Sequence, residues 1–298
     1  MVCACPSVRR PVRCGFGDDC AVDYELIDVG GGARLERFGE HVTDRPQPGA
    51  LGLRSQPDRW TDADLRFERD DGWTGAGVVA AAAGWSISFA GLELGLRTTD
   101  AGQVGLFPEH GSMLAWLEGR VRDRAGEGRP EVLHLFAYTG LVTLALARAG
   151  AAVVHVDAAR PSVNWARQNA ERNGLAEQPI RWLVDDARAF TAREVRRGRS
   201  YDGMVLDPPT YGHGGGSRWQ IERDLGPLLG ICRTVLRPGG FVLLTAHTPA
   251  FGPDRLAGEL RLALDDRGAQ PDAGELVVET PDGRPVPLGA FARWDGAS

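Results

Sequence analysis

The sequence predicts an α/β fold: a mostly parallel sheet with helices on both faces, preceded by a small, mostly-β N-terminal module. Three observations carry this. The stretch Glu131–Gly150, EVLHLFAYTGLVTLALARAG, reads as a buried strand, a tight turn and an apolar helix. Further strand–helix pairs follow it in a regular rhythm, which means a parallel sheet. Successive strands end at Tyr138, Asp157, Asp186, Asp207 and His247, on the sheet edge where such folds bind ligands.

The central stretch divides into a strand at Val132–Phe136, a turn at Ala137–Gly140 and a helix at Leu141–Arg148. Val132, Leu133, Leu135 and Phe136 make the nearly continuous apolar run of a strand covered on both faces. Gly140 stands where the backbone must turn sharply and approach something closely. A second strand, Ala152–Val156, ends at Asp157, about 20 residues beyond the first, where an acid can accept the two hydroxyls of a ribose. The turn lacks the three glycines that close backbone amides around a pyrophosphate. A single glycine fits a phosphate-free nucleoside cofactor better, and S-adenosyl-L-methionine (SAM) is one. The alternative is an ordinary βαβ unit with no ligand.

The rest of the chain follows in order. Residues 1–22 have no periodicity and are read as a disordered tail. Tyr24–Val29 and Arg34–Phe38 form a hairpin about Gly30–Gly32, and Asp44–Pro48 is extended loop. Trp60, Phe67 and Trp73 punctuate a polar stretch. Trp85–Phe89 and Leu92–Leu96 form a second hairpin about Ala90-Gly91, completing an N-terminal module over 23–108. Acids and aromatics in this module are read as fold rather than chemistry. The main domain spans 109–298. Ser112 is expected to cap a helix to Arg124, and Ser162 one to Asn173 before Gly174. A strand at Ile180–Val184 leads to a helix ending near Arg196, and a strand at Gly203–Leu206 to a glycine loop at Gly212–Gly216. A helix from about Arg218 to Leu236 precedes a fifth strand, Phe241–Thr245. A helix near Pro253–Asp265 and an antiparallel hairpin about Asp282-Gly283 close the chain, giving seven strands in the main sheet.

Composition sets the bounds. At 298 residues and 43% hydrophobic content, one large or two medium domains can each bury a core. No 18-residue apolar run and no secretory pattern is present, so a cytoplasmic protein is expected. All 34 basic residues are Arg, which points to genomic base composition rather than function. The net charge of −6 argues against a general nucleic-acid coat protein, yet residues 109–248 are net basic, compatible with a polyanionic substrate. Four of the five cysteines, Cys3, Cys5, Cys14 and Cys20, lie in the tail, without the C-x-x-C spacing of a zinc site; no metal is expected.

The ordered motifs F-A-Y-T-G, Asp157, D-D-A, D-P-P-T-Y and P-G-G-F resemble those of class I SAM-dependent methyltransferases over residues 104–294, implying that family's Rossmann-like sheet. Within it, L-F-A-Y-T-G, V-D-A-A-R-P-S-V-N-W-A-R-Q-N, V-D-D-A and L-D-P-P-T-Y resemble bacterial methyltransferases of large-subunit ribosomal RNA, of the cytosine-C5 and guanine-N7 types. The resemblance implies cofactor contacts at Phe136, Ala137, Tyr138, Thr139 and Gly140, at Asp157 and Ala158, at Asp186 and Ala187, and at Asp207. Glu109, with His110, belongs to a loosely matching G-L-F-P-E-H turn over the cofactor. Catalysis falls to Asp207, Pro208, Pro209, Tyr211 and His247. The RNA-binding PUA module of the cytosine-C5 relatives is not recognisable, and the N-terminal module is acidic instead.

Cytosine C5 needs a thiolate to add at C6. The fifth strand's tip, Thr245-Ala246-His247-Thr248, has no cysteine, and Cys232 reads as helix packing, so nitrogen is the preferred acceptor. Tyr211 can stack on a base. Arg188, Arg193, Arg196, Arg197 and Arg199 either track phosphates or form a solvated helix face. His213 is either a substrate contact or a bystander, and His134 and His155 are core groups. The resulting expectation is a SAM-dependent methyltransferase acting on a base nitrogen of structured, ribosomal RNA. The alternatives are methylation of a small-molecule metabolite, a non-catalytic SAM- or RNA-binding factor, and a dinucleotide oxidoreductase, which the single-glycine turn disfavours.

Overall fold

In the computed structural model the described residues are 23–214, 217–264 and 270–296. The tail expected over 1–22, with its four cysteines, lies outside them, as do Gly215, Gly216 and the His213 side chain.

The chain first builds a five-stranded sheet in sequential order: β1 (Tyr24–Gly30), β2 (Ala33–Phe38), β3 (His41–Pro46), β4 (Leu65–Glu68) and β5 (Gly72–Thr74). Gly31 and Gly32 take φ of 62° and 78° to reverse the chain into β2. The sequence pattern predicts two strands here and a loop at Asp44–Pro48. Instead, β3 pairs with β2 from Phe38↔His41 to Ala33↔Pro46. Its signal is weak because its buried face carries Thr43 and Arg45. The punctuating aromatics belong to the fold, as expected. Trp60 Nε1 donates to buried Asp28 Oδ2 at 2.9 Å, and Phe67 and Trp73 pair across β4 and β5. A short helix, α1 (Val78–Ala83), unforeseen in the sequence, leads to the expected hairpin of β6 (Trp85–Phe89) and β7 (Leu92–Leu96).

Helix α2 (Gly111–Arg124) starts one residue before Ser112, whose hydroxyl donates back to the Glu109 carbonyl at 2.8 Å rather than capping the helix. The main body then runs β8 (Glu131–Leu135), α3 (Leu141–Arg148), β9 (Ala152–Asp157), α4 (Arg160–Arg172), β10 (Ile180–Val184), α5 (Ala187–Arg196), β11 (Tyr201–Leu206), β12 (Tyr211–Gly214), β13 (Ser217–Gln220), α6 (Ile221–Val235), β14 (Leu236–Ala246), α7 (Pro253–Leu264), β15 (Asp272–Glu279) and β16 (Pro285–Asp295). Two expectations are corrected. α4 begins at Arg160, with Pro161 in its first turn and no side-chain cap, so Ser162 lies inside it. The glycine loop is an antiparallel hairpin, with Gly212 opposite Trp219, so α6 begins at Ile221.

The seven-stranded sheet has the order β10-β9-β8-β11-β14-β16-β15. Its first five strands are parallel, and β16 runs antiparallel to both β14 and β15. Successive strand residues serve opposite faces. Val132, Val153, Val205 and Leu243 pack with Met113, Leu117 and Leu144 of α2 and α3. Leu133, Val154, Leu206 and Leu244 pack with Phe190, Leu225 and Leu260 of α5, α6 and α7. Each such side chain, fully buried, contributes about 1.5–3 kcal/mol. The N-terminal module adds Phe38, Ile87 and Phe89 to the first layer, and Leu26 and Val29 meet Val286 and Leu288 of β16. No described helix is long and apolar enough to cross a membrane.

Candidate active site

Strand order reverses between β8 and β11, which opens a crevice at their carboxyl ends. The turn after β8 is unusual. Phe136 and Tyr138 have φ of 57° and 47°, a region few non-glycine residues occupy, and Gly140 has 94°. Contacts on every side hold it there. Ala137 N donates to Val156 O at 3.1 Å, Gly140 N to Ala137 O at 3.2 Å, and Tyr138 N to Asp157 Oδ2 at 2.9 Å. Thr139 Oγ1 donates to Gly105 O at 2.6 Å, and its carbonyl accepts from Asn169 Nδ2 at 3.1 Å. Three of the turn's four amides are therefore committed inward and cannot cradle a pyrophosphate. This is a physical argument for a phosphate-free nucleoside and against a dinucleotide.

A cleft of about 510 Å³ lies over this turn, within the usual size range of small-molecule sites. Of the residues expected from sequence, it is lined by Phe136, Tyr138, Asp157, Ala158, Asp186, Ala187, Asp207, Pro208, Pro209 and His247. Ala137, Thr139 and Gly140 line a small adjoining cavity of about 30 Å³ that shares Phe136, Tyr138 and Asp207 with the cleft. Glu109 and Tyr211 line neither cavity. Glu109 is buried behind His247, with Oε1 3.5 Å from Nδ1, and Tyr211 is 69% exposed on β12.

Of the four carboxylates lining the cleft, the three expected from sequence are each fixed differently. Asp157 Oδ1 accepts from Ala159 N at 2.8 Å while Oδ2 takes the Tyr138 amide. Burial pushes its carboxyl above the usual range against the pull of those two bonds. Asp186 caps α5 by accepting from the Arg188 and Ala189 amides at 3.0 Å. Asp207 Oδ1 accepts from Thr245 Oγ1 at 2.6 Å. The segment after Asp207 is fastened to the fold. Pro209 O accepts from Trp219 Nε1 at 2.7 Å, Thr210 O accepts from Ile221 N at 3.1 Å, and the Thr210 hydroxyl meets that of Thr248 at 2.7 Å. The Asp207 side chain, held over the cleft by Thr245, is one acceptor this segment offers.

Asp207 sits between two imidazoles, His110 Nε2 and His247 Nε2, each 3.5 Å from one carboxylate oxygen. Burial opposes the charge on Asp207, but the two histidines and the Thr245 hydroxyl hold its carboxyl far below the ordinary range. Burial likewise opposes the charge on His247, but Asp207 and Glu109 push it up to about 10, and Nδ1–H donates to Leu288 O at 3.0 Å. For His110 burial wins, holding it below the ordinary histidine range. At neutral pH the cluster therefore holds a carboxylate, an imidazolium and a neutral imidazole, and His110 Nε2 is buried without a partner.

Beneath the site, the Thr143 hydroxyl joins His134 Nδ1 at 2.7 Å and His155 Nδ1 at 2.9 Å, so both histidines are core groups as expected. Cys232 is buried in α6, its thiol pushed up to about 12 by burial. The arginine run is mostly paired: Arg188 with Asp224, Arg193 with Asp185, Arg197 with Glu194 and Arg199 with Glu131. These ion pairs fit the solvated-face alternative, with Arg197 and Arg199 just beyond the end of α5. Sequence reading missed Gln103, Phe107, Ser162, Asp185 and Trp219 as cleft residues and Thr245 as Asp207's partner. Phe107 and Asp185 lie within the quoted G-L-F-P-E-H and V-D-D-A motifs, and Trp219 left a trace as an aromatic beside a glycine-rich stretch following D-P-P-T-Y.

A family model of S-adenosylmethionine-dependent methyltransferases matches residues 68–265. The crystal structure of the SAM-dependent methyltransferase from Agrobacterium tumefaciens is 36% identical, with a TM-score of 0.86, and the match covers 93% of this chain and 91% of that one. The ribosomal RNA large subunit methyltransferase K/L of Methylococcus capsulatus is 34% identical over 158 residues, 52% of this chain and 20% of that protein. Its namesake from Pseudoalteromonas atlantica is 30% identical over 180 residues, 59% of this chain and 24% of that protein. These matches thus span a quarter or less of those two relatives.

Proposed function

This chain belongs to the S-adenosylmethionine-dependent methyltransferases, and from that premise we propose that it methylates a base nitrogen of structured RNA, ribosomal RNA foremost. The observation that carries the reading is Asp207-Pro208-Pro209 on the wall of the nucleoside cleft, with Trp219 beside it and exposed Tyr211 just outside. The relatives named for ribosomal RNA support the substrate class. Buried Cys232, the only cysteine among the described residues, is no thiolate, which argues against cytosine C5 and for nitrogen. A ribosomal substrate places the reaction in the cytoplasm.

SAM, when bound, supplies an electrophilic methyl group, so the protein's task is alignment and proton management. Asp157 would accept the ribose hydroxyls of the cofactor and Asp186 would face its adenine. Asp207 Oδ2 would accept the N–H of the acceptor nitrogen and so orient its lone pair. The His247 imidazolium keeps Asp207 ionised. Neutral His110 Nε2, 3.5 Å from Oδ2, receives the proton released on methylation. A base within a duplex has to flip out to reach this point.

The test is methyl transfer from labelled SAM to total ribosomal RNA from a deletion strain, followed by mass mapping of the product. Absence of label from the RNA overturns the reading. Label found in the small-molecule fraction supports a metabolite acceptor instead, a reading favoured by the net charge of −6.

A further inference from the structure

A separate cavity, of about 380 Å³, lies in the N-terminal module against β2, β3 and β4. Its wall contains an arrangement that a fold alone does not favour. Arg34 on β2 and Arg45 on β3 stand directly opposite each other in the strand register, 7% and 2% exposed. Like charges so placed repel. A single buried carboxylate, Glu36, lies between them, 3.1 Å from Arg34 Nε and 3.0 Å from Arg45 Nε. Arg45 is well used: it also donates from Nη1 to Gly102 O at 3.2 Å and to Gln103 Oε1 at 3.1 Å.

Arg34 differs. Its Nε lies near Glu36 without hydrogen-bond geometry and is buried and unpartnered, and among the described residues its guanidinium donates no hydrogen bond. The other carboxylate in its field is Glu109, whose Oε1 lies 3.5 Å from His247 Nδ1. Its charge is ion-paired with Glu36, but a buried donor without a hydrogen bond is costly, and the Nη groups, which donate none either, are free to meet an acceptor. Arg34 borders the cavity, exposed Arg69 stands at the rim, Phe67 gives an apolar side, and Asp100 is the one carboxylate on the wall. Gln103 lines both this cavity and the nucleoside cleft.

We propose that this cavity is a phosphoryl subsite, in which a phosphate ester of the methyl acceptor docks on the Arg34 fork with Arg69 at its rim. The proposal deepens the reading of a polyanionic acceptor: with the reacting base in the cleft, a neighbouring phosphate falls next to Gln103. The phosphate comes either from an RNA backbone or from a small phosphorylated acceptor.

The test is calorimetric titration of inorganic phosphate, at constant ionic strength, into full-length protein saturated with S-adenosylhomocysteine so that the cleft is filled. Wild type binds one phosphate. Arg34→Gln weakens it tenfold or more, and Arg34→Lys restores only part, since a point charge does not replace a two-pronged donor. Arg69→Glu, at an exposed position that spares the fold, weakens it at least threefold. No binding by wild type, or binding indifferent to Arg34→Gln and Arg69→Glu, overturns the subsite. Displacement of bound phosphate by a single-stranded RNA oligomer assigns the site to a backbone, and displacement by adenosine monophosphate alone assigns it to a small acceptor. A wild type that methylates no RNA yet binds phosphate at Arg34 removes the RNA reading and leaves the subsite standing.

Discussion

The Tyr138 amide donates to Asp157 Oδ2 at 2.9 Å, tying the turn after β8 to the tip of β9. One carboxylate thus shapes the turn and faces the nucleoside cleft. Asp157→Asn keeps the volume and removes the charge that makes both tasks favourable. Hydrogen bonds to a charged acceptor are worth about 1.5–3 kcal/mol. The Kd for SAM, measured by calorimetry, rises by ~10- to 150-fold on that scale. An unchanged Kd removes Asp157 from the cofactor site.

Gly140 is the second lever on the same turn. At φ 94° an alanine suffers strain of about 1–2 kcal/mol, and its Cβ would stand 3.0 Å from Ala166 Cβ on α4. Gly140→Ala therefore lowers the melting temperature and weakens S-adenosylhomocysteine binding together. Gly119, inside α2 with no atom near its missing Cβ, is the control. Gly119→Ala stabilises by about 0.5–1 kcal/mol through helix propensity. Scanning fluorimetry with and without ligand separates the two.

The His247–Asp207 pair gives stability a pH dependence of known sign. A histidine raised to about 10 on folding, from about 6.5 when unfolded, stabilises fully below 6.5. That contribution is lost as pH climbs from about 6.5 toward 10. Asp207 works in the opposite direction: its depressed carboxyl stabilises above the ordinary carboxylate range and loses that effect only in acid. The melting temperature accordingly falls between pH 7 and 10. Asp207→Asn, which removes the partner charge, flattens that limb. An alkaline limb equally steep in the variant means that other groups set it.

How much of this was legible in the sequence depended on whether the signal was local. β8 and α3 match their expected limits closely, because an apolar run followed by one glycine and a second apolar run allows little else. β3 was missed because its inward residues His41, Thr43 and Arg45 are polar and are satisfied by partners on other segments, Asp64, Glu36, Gly102 and Gln103. The β12–β13 hairpin was missed because glycines mask strand character. Ser112 and Ser162 misled as caps because a nearby Pro-Glu-His turn and Pro161 start those helices instead. The strand-tip acids were legible one by one. That His110 and Thr245 meet Asp207 follows from β14 lying beside β11 and from the turn before α2 folding over both, which no local pattern records.

Tyr211 stands outside the cleft, 69% exposed, and that position defines its test. A tyrosine so exposed contributes little to folding, so Tyr211→Ala leaves the melting temperature and SAM affinity close to wild type. If it stacks on a base of the acceptor, the loss is about 1–3 kcal/mol. That appears as a KM for RNA raised ~5- to 150-fold with kcat largely kept, the signature of binding shared by ground and transition states. Tyr211→Phe, which keeps the ring, restores the KM, because stacking needs the π face and not the hydroxyl. A KM for RNA that ignores Tyr211→Ala assigns base stacking elsewhere, and Trp219 is then the aromatic at hand. Its ring already lines the cleft and its indole N–H is committed to Pro209 O. Trp219→Phe would then raise the KM only by loosening the Asp207-Pro208-Pro209 segment, and kcat would fall with it.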